Sequence, residues 1–129
     1  MARISRYVYL AAAWLFVAGV TIQVFLAGMV VVARQTGWDS HIGLGHGLAG
    51  PLLIMLIAMY LGRIPGSIKR LTWLLFVFYA LQADVVIFLR DQLPVISALH
   101  PVLALADFAL GLFLASRAGK LLMDVQTQV

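Results

Sequence analysis

The chain has 129 residues, of which 64% are hydrophobic and 11% are charged, and its mean hydropathy is +1.03. Soluble domains average about 25% charged residues, so this composition excludes a soluble fold of this size. The net charge of +4 comes from basic residues that flank apolar runs and form no patch, which argues against nucleic-acid binding. Because there is no cysteine, disulfides and thiolate metal sites are also excluded.

Four apolar runs fill almost the whole chain, and each has the roughly 20 residues that a membrane-spanning helix needs. In chain order, the predicted helices cover residues 7–33, 40–62, 67–89 and 94–118. The first run is too long for the apolar region of a signal peptide, so we expect it to be retained. Short connections favour antiparallel neighbours, and the sequence therefore predicts an all-α, integral membrane four-helix bundle with up-down-up-down topology, formed as one domain over residues 1–129.

The basic residues predict how the bundle is oriented. One end of the predicted bundle holds Arg3, Arg6, Arg63, Lys69, Arg70, Arg117 and Lys120. The other end holds only Arg34 and Arg90. Lysine and arginine are enriched on the cytoplasmic side of a membrane, so both termini are expected in the cytoplasm. The aromatic residues expected at the cytoplasmic interface are Tyr7, Tyr9, Tyr60 and Trp73.

The polar residues inside the runs lie mostly toward the outer side of the membrane. They are Gln23, His41, His46, Gln82, Asp84, His100 and Asp107. Polar side chains are costly in lipid, so this cluster is the candidate site. With a rise of about 1.5 Å per residue, His46 lies roughly 9 Å inside the outer end of its helix. His100 lies at nearly the same depth if the fourth helix begins near Pro94.

His41 competes with His46 as the partner of His100. The two are five residues apart, about 140° around a helix, so they cannot both face one point. If Pro101 stands at the start of the fourth helix, His100 moves up to the level of His41. If the helix starts at Pro94, Pro101 kinks it instead. Four glycines surround His46 and leave space for a flat ring or for another helix: Gly43, Gly45, Gly47 and Gly50. We find no convincing internal repeat in the sequence.

Histidines at matched depth on diagonal helices favour a haem b protein with a role in electron transfer. Two imidazoles can bind a haem iron from opposite faces, and helical bundles commonly hold such cofactors in their cores. The expected axial ligands are His100 with either His46 or His41. The side chains expected to orient the imidazoles or the propionates are Gln23, Gln82 and Asp84.

Other functions are also compatible with the pattern. The chain could be a non-catalytic accessory subunit of a larger membrane complex, in which the polar cluster only fixes the register of the helices. A chlorin pigment or a metal ion could bind the same histidines, although no tight ligand spacing is present. Catalysis is not expected, because the sequence has no nucleophile with an oxyanion motif. The expected partners are the lipid bilayer and a larger membrane complex, with no nucleic acid.

Several segments resemble a family of short bacterial four-span membrane proteins of unknown function. The resemblance covers residues 7–118 and is carried by Gln23–Gly28, Trp38, His41–Gly45, Gln82 and Leu99–Ala104. It implies the four-span fold, a bacterial inner membrane and these candidate positions, and no activity. The family's pattern features the histidine at the position of His41, which favours His41 as the partner of His100. The chain is also loosely similar in architecture to membrane b-type cytochromes.

Overall fold

The computed structural model of the chain describes residues 1–35, 37–89 and 91–126. In these ranges the chain forms four helices and no strand, which confirms the predicted all-α bundle. Helix α1 is Ala2–Val31, and α2 consists of Asp39–Gly47 and Ala49–Leu61. Helix α3 consists of Gly66–Ala80, the π-helical turn Leu81–Val85 and Val86–Phe88. Helix α4 consists of Pro94–Ser97 and Leu99–Gln126. Arg90, which the orientation prediction places at the outer end, lies outside the described residues.

Three of the helices are long and apolar enough to cross a membrane. They are Ala2–Val31, Asp39–Leu61 and Pro94–Met123. Helix α3 differs because its regular part stops at Ala80, where the π-helical turn begins, and because it carries Lys69, Arg70 and Asp84. The chain is therefore a membrane protein by the length and composition of its helices.

The four helices pack in a ring in the order of the chain. Helix α1 packs against α2 and α4, and α3 packs against α4 and, over a smaller area, against α2. Helices α2 and α4 therefore lie across a diagonal of the bundle. The largest fully buried apolar side chains are Tyr9, Phe16, Leu52, Met55, Met59, Leu75 and Leu114. Many apolar side chains outside this core are exposed, as a lipid-facing surface requires.

Two of the helices extend beyond their predicted ends. Helix α1 begins at Ala2, before the predicted start at Tyr7, and α4 continues to Gln126, beyond Ala118. No proline or turn sequence stops α4 after Gly119, so the helix continues beyond the apolar run. The predicted end of the fourth helix at residue 118 is therefore too early.

The basic end of the bundle is held by hydrogen bonds between helices. The Arg6 Nε donates to the carbonyl oxygen of Gly62 at 2.8 Å, which satisfies a free carbonyl at the end of α2. The hydroxyls of Tyr9 and Thr72 lie 2.7 Å apart in the buried core. Tyr9 is fully buried at this end of the bundle, where Thr72 satisfies its hydroxyl and the ring packs inside. Tyr60 is exposed there and accepts a hydrogen bond from Trp73.

Candidate functional site

His41 and His100 lie together at the end of the bundle where α2 and α4 begin. Their ring centroids are 6.1 Å apart and their planes make an angle of 61°. Both side chains are half-buried, and Trp38 packs edge-on against His41 at 5.3 Å between centroids. Of the two candidate partners of His100, the structure brings His41, and not His46, into contact with it.

Each of the two helices that carry these histidines has a short break three residues before a proline. Proline lacks an N–H and its ring clashes with the carbonyl four residues earlier, so it interrupts a helix there. Helix α2 breaks at Leu48, before Pro51, and α4 breaks at Ala98, before Pro101; His41 lies in the first turn of α2, which begins at Asp39. The long segment of α4 thus starts at Leu99, with His100 in its first turn.

Each imidazole is fixed by a backbone carbonyl of the preceding helix. The Nδ1 of His41 lies 3.1 Å from the Gln23 carbonyl oxygen, and the Nδ1 of His100 lies 3.1 Å from the Gln82 carbonyl oxygen. A carbonyl oxygen can only accept, so Nδ1 must donate in both rings and Nε2 is left with a free lone pair. Histidines that bind metals are oriented in this way.

The π-helical turn of α3 supplies one of these carbonyls. In a π-helical turn the hydrogen bonds run from residue i to residue i+5, so the regular pairing of the α-helix is shifted by one residue. Gln82 lies in this turn, where its carbonyl accepts from His100. Single π-helical turns inside α-helices occur frequently at functional sites. Gln23 achieves the same contact from a regular helix, because a carbonyl oxygen has two lone pairs.

The two histidine contacts are matched in sequence spacing. The sequence separation from glutamine to histidine is 18 residues for both pairs. The helix pairs α1–α2 and α3–α4 run in the same directions, so a two-fold axis along the bundle relates the two contacts approximately. A search for identical Gln–His spacings would have found this signal, although the residues between them differ.

All the unpaired polar atoms of the site are hydrogen-bond acceptors. Asp107 is fully buried, and one of its carboxyl oxygens accepts from the Gln82 side-chain amide. Its Oδ1 and the Oε1 atoms of Gln82 and Gln23 are buried without a hydrogen-bond partner. Together with the two free Nε2 atoms, they form a site that requires a cation or a donor. Sequence reasoning noted Asp107 but did not assign it to the site.

Gly45 and Tyr79 also shape the site; the glycine was expected to leave space beside His46, and the tyrosine was not among the predicted site residues. A Cβ at Gly45 would lie 2.6 Å from the Gln23 amide nitrogen, so a larger residue there would require the end of this glutamine side chain to move. The Tyr79 hydroxyl donates to the Gly45 carbonyl oxygen at 2.8 Å, near the break in α2. Tyr79 therefore ties α3 to the segment that carries His41.

His46 and Asp84 lie away from the paired histidines. His46 is exposed on the outer face of α2, and its Nδ1 lies 3.0 Å from the carbonyl oxygen of Ile42 in its own helix. Asp84 is exposed on α3. Both line an open groove of about 560 Å³, together with Ala83, Ile87, Phe88 and Leu89. The structure thus separates these two residues from the other four predicted site residues.

The two paired histidines alone would not complete the coordination of a bare metal ion. Among the described residues, no three His, Cys, Asp or Glu side chains are grouped closely enough to bind a metal. A metal held by His41 and His100 would therefore need further ligands of another kind.

The chain was compared with known protein families, curated proteins and solved structures. Residues 23–86 match the model of a family of unknown function, DUF6220. This confirms the resemblance to a family of unknown function. The matched part contains Gln23, His41 and Gln82, and it ends before His100. No curated protein and no solved structure matches the chain.

Proposed function

We propose that the chain binds haem b between His41 and His100 and transfers electrons through it. The distance between the two rings carries this proposal. An iron atom about 2 Å from the Nε2 of each imidazole requires ring centroids about 6 Å apart. The observed separation of 6.1 Å matches that requirement.

The donor set favours a macrocycle over a bare ion. His41 and His100, each with a free Nε2, would be the residues that hold the haem iron, and the porphyrin would supply the other ligands. The Gln23 and Gln82 carbonyls hold each ring in one tautomer and one orientation. The buried oxygens of Gln23, Gln82 and Asp107 would accept hydrogen bonds from ordered water or from a protonated propionate.

Electron transfer follows from the coordination. With His41 and His100 both bound to it, the haem would have no position free for oxygen or a substrate, and the chemistry it would supply is the gain and loss of one electron. The protein then acts as an electron carrier and not as an enzyme.

The membrane arrangement is part of the proposal. All four helices would cross a bacterial inner membrane with both termini in the cytoplasm, because the basic residues cluster at the end of the bundle opposite the histidines. The haem would then lie near the outer surface, where a redox partner can approach it. Asp84 and the π-helical turn of α3 would lie in the same outer half.

The first test is a visible absorption spectrum of the detergent-purified protein, oxidised and then reduced with dithionite. We expect a Soret band that sharpens on reduction in the wild type and in His46→Ala, and that is lost or becomes five-coordinate in His41→Ala and in His100→Ala. A wild-type spectrum that remains featureless after expression with ample haem would overturn the proposal.

A non-catalytic accessory subunit is the second candidate function. It is favoured by the open, largely apolar groove that contains His46 and Asp84, since two exposed ionisable side chains in a membrane bundle are costly unless a partner covers them. A colourless protein that co-purifies with partners in fixed stoichiometry would support this function.

A magnesium chlorin in place of haem would give a spectrum with a strong red band and no change on reduction.

A further inference from the structure

The groove between α2 and α3 combines an acid and a base on a lipid-facing surface. His46 and Asp84 are both exposed and both line it. Within the described part of the chain, the Asp84 carboxyl makes no hydrogen bond, and the Nε2 of His46 is free because only Nδ1 is bonded, to its own helix. Ionisable groups in a membrane bundle are costly unless they find partners. In a single copy of the chain, the described residues therefore provide no partner for the Asp84 carboxyl or for the Nε2 of His46.

The outer face of α2 beside this groove allows another helix to come close. Gly43, Gly47 and Gly50 are exposed, and a Cβ at each would have no atom of this chain within 4 Å. They lie three residues before, one residue after and four residues after His46, and therefore surround it on the helix surface. Small residues let helix backbones approach in membranes, and polar side chains then bond across the contact.

We propose that this groove docks a second copy of the chain, with His46 of each copy against Asp84 of the other. The surface is complementary to itself: a two-fold axis brings each base to the partner's acid, and both pairs form at once. A different membrane protein would have to supply an acid and a base in matching places, whereas a second copy supplies both. The proposal does not depend on haem binding.

The absence of cysteine from the chain makes a disulfide test direct. Gly47→Cys and Gly50→Cys place a thiol on the proposed contact, and Val24→Cys and Val102→Cys place one on exposed faces of α1 and α4 as controls. We expect oxidation in native membranes to link the first two variants into dimers of twice the monomer mass and to leave the controls monomeric. Equal cross-linking of all four, or adducts of another mass, would overturn the proposal.

A complementation experiment tests the pairing itself. Both variants are made in the Gly50→Cys background. In the homodimer of His46→Asp, the new aspartate faces Asp84 of the other copy. In the homodimer of Asp84→His, the new histidine faces His46 of the other copy. Each is expected to form about tenfold less cross-linked dimer, the effect of losing two interhelical hydrogen bonds. When the two variants carry different tags and are co-expressed, both pairs are restored in the mixed dimer. We expect the amount of cross-linked mixed dimer to equal that of the wild-type homodimer, which would also show that each variant folds. Homodimers of either variant that cross-link as well as the wild type would refute the pairing. The absence of a mixed dimer would refute it as well.

Discussion

The amide nitrogen of Gln23 lies directly beside the backbone of Gly45. A methyl group at position 45 would meet this nitrogen at 2.6 Å, so Gly45→Ala must move the end of the Gln23 side chain, and the backbone carbonyl of the same residue is bonded to His41. We expect the variant to bind haem about threefold more weakly, the effect of about 0.7 kcal/mol. Haem titration followed by absorbance measures this change.

Gly43→Ala is the matched control for that substitution. Gly43 lies on the same helix, two residues earlier, and a Cβ there has no neighbour within 4 Å. Its haem affinity should equal that of the wild type. Equal affinities for both alanine variants would mean that Gln23 does not position His41.

The buried hydroxyl pair of Tyr9 and Thr72 contributes to stability at the other end of the bundle. Tyr9→Phe removes one partner, but the Thr72 hydroxyl keeps its bond to the Ile68 carbonyl oxygen. We therefore expect the free energy of unfolding to fall by only about 1 kcal/mol, measured by denaturation in mixed detergent micelles. Tyr60→Phe removes an exposed hydroxyl and should lower the free energy of unfolding by a smaller amount. A larger loss in Tyr60→Phe would contradict the assignment.

At the scale of the element, the π-helical turn of α3 determines where the Gln82 carbonyl points. Deleting Ala83 removes one residue from Leu81–Val85 and allows a regular α-helix to form in its place. We expect His100 to lose its acceptor while His41 keeps its own, so the reduced spectrum becomes that of a five-coordinate haem. A six-coordinate spectrum in the deletion variant would show that His100 needs no backbone acceptor.

The sequence predicted the helices because their apolar runs are long and their connections are short. It also identified four of the polar residues that the structure brings together, since polar side chains inside such runs are rare. It could not choose between His41 and His46, because the level of His100 depends on where the fourth helix begins and breaks, at Pro94 or beside Pro101. The π-helical turn has no proline or glycine to announce it. The burial of Asp107 depends on packing between α3 and α4, which periodicity alone does not give.

At the scale of the whole molecule, the distribution of basic residues predicts the orientation in the membrane. A cysteine introduced at Asp91, between α3 and α4, should react with a membrane-impermeant thiol reagent added to intact cells. A cysteine at Ser67, beside Lys69 and Arg70, should react only after the membrane is opened. The chain has no other cysteine, so each signal comes from one position. The reverse labelling pattern would mean that the orientation is opposite to the predicted one, with the histidines on the cytoplasmic side.

The approximate two-fold relation between the helix pairs has a consequence for the history of the chain. A single helical hairpin with a Gln–His spacing of 18 residues could pair with its own copy and bind one cofactor between identical halves. Duplication and fusion of such a hairpin gene would yield the present arrangement. The halves have since diverged: the carboxyl of Asp107 in the second half corresponds to the apolar Leu48 in the first. Hairpins 1–62 and 66–129, expressed as separate fragments, should therefore reassemble in the membrane around one haem.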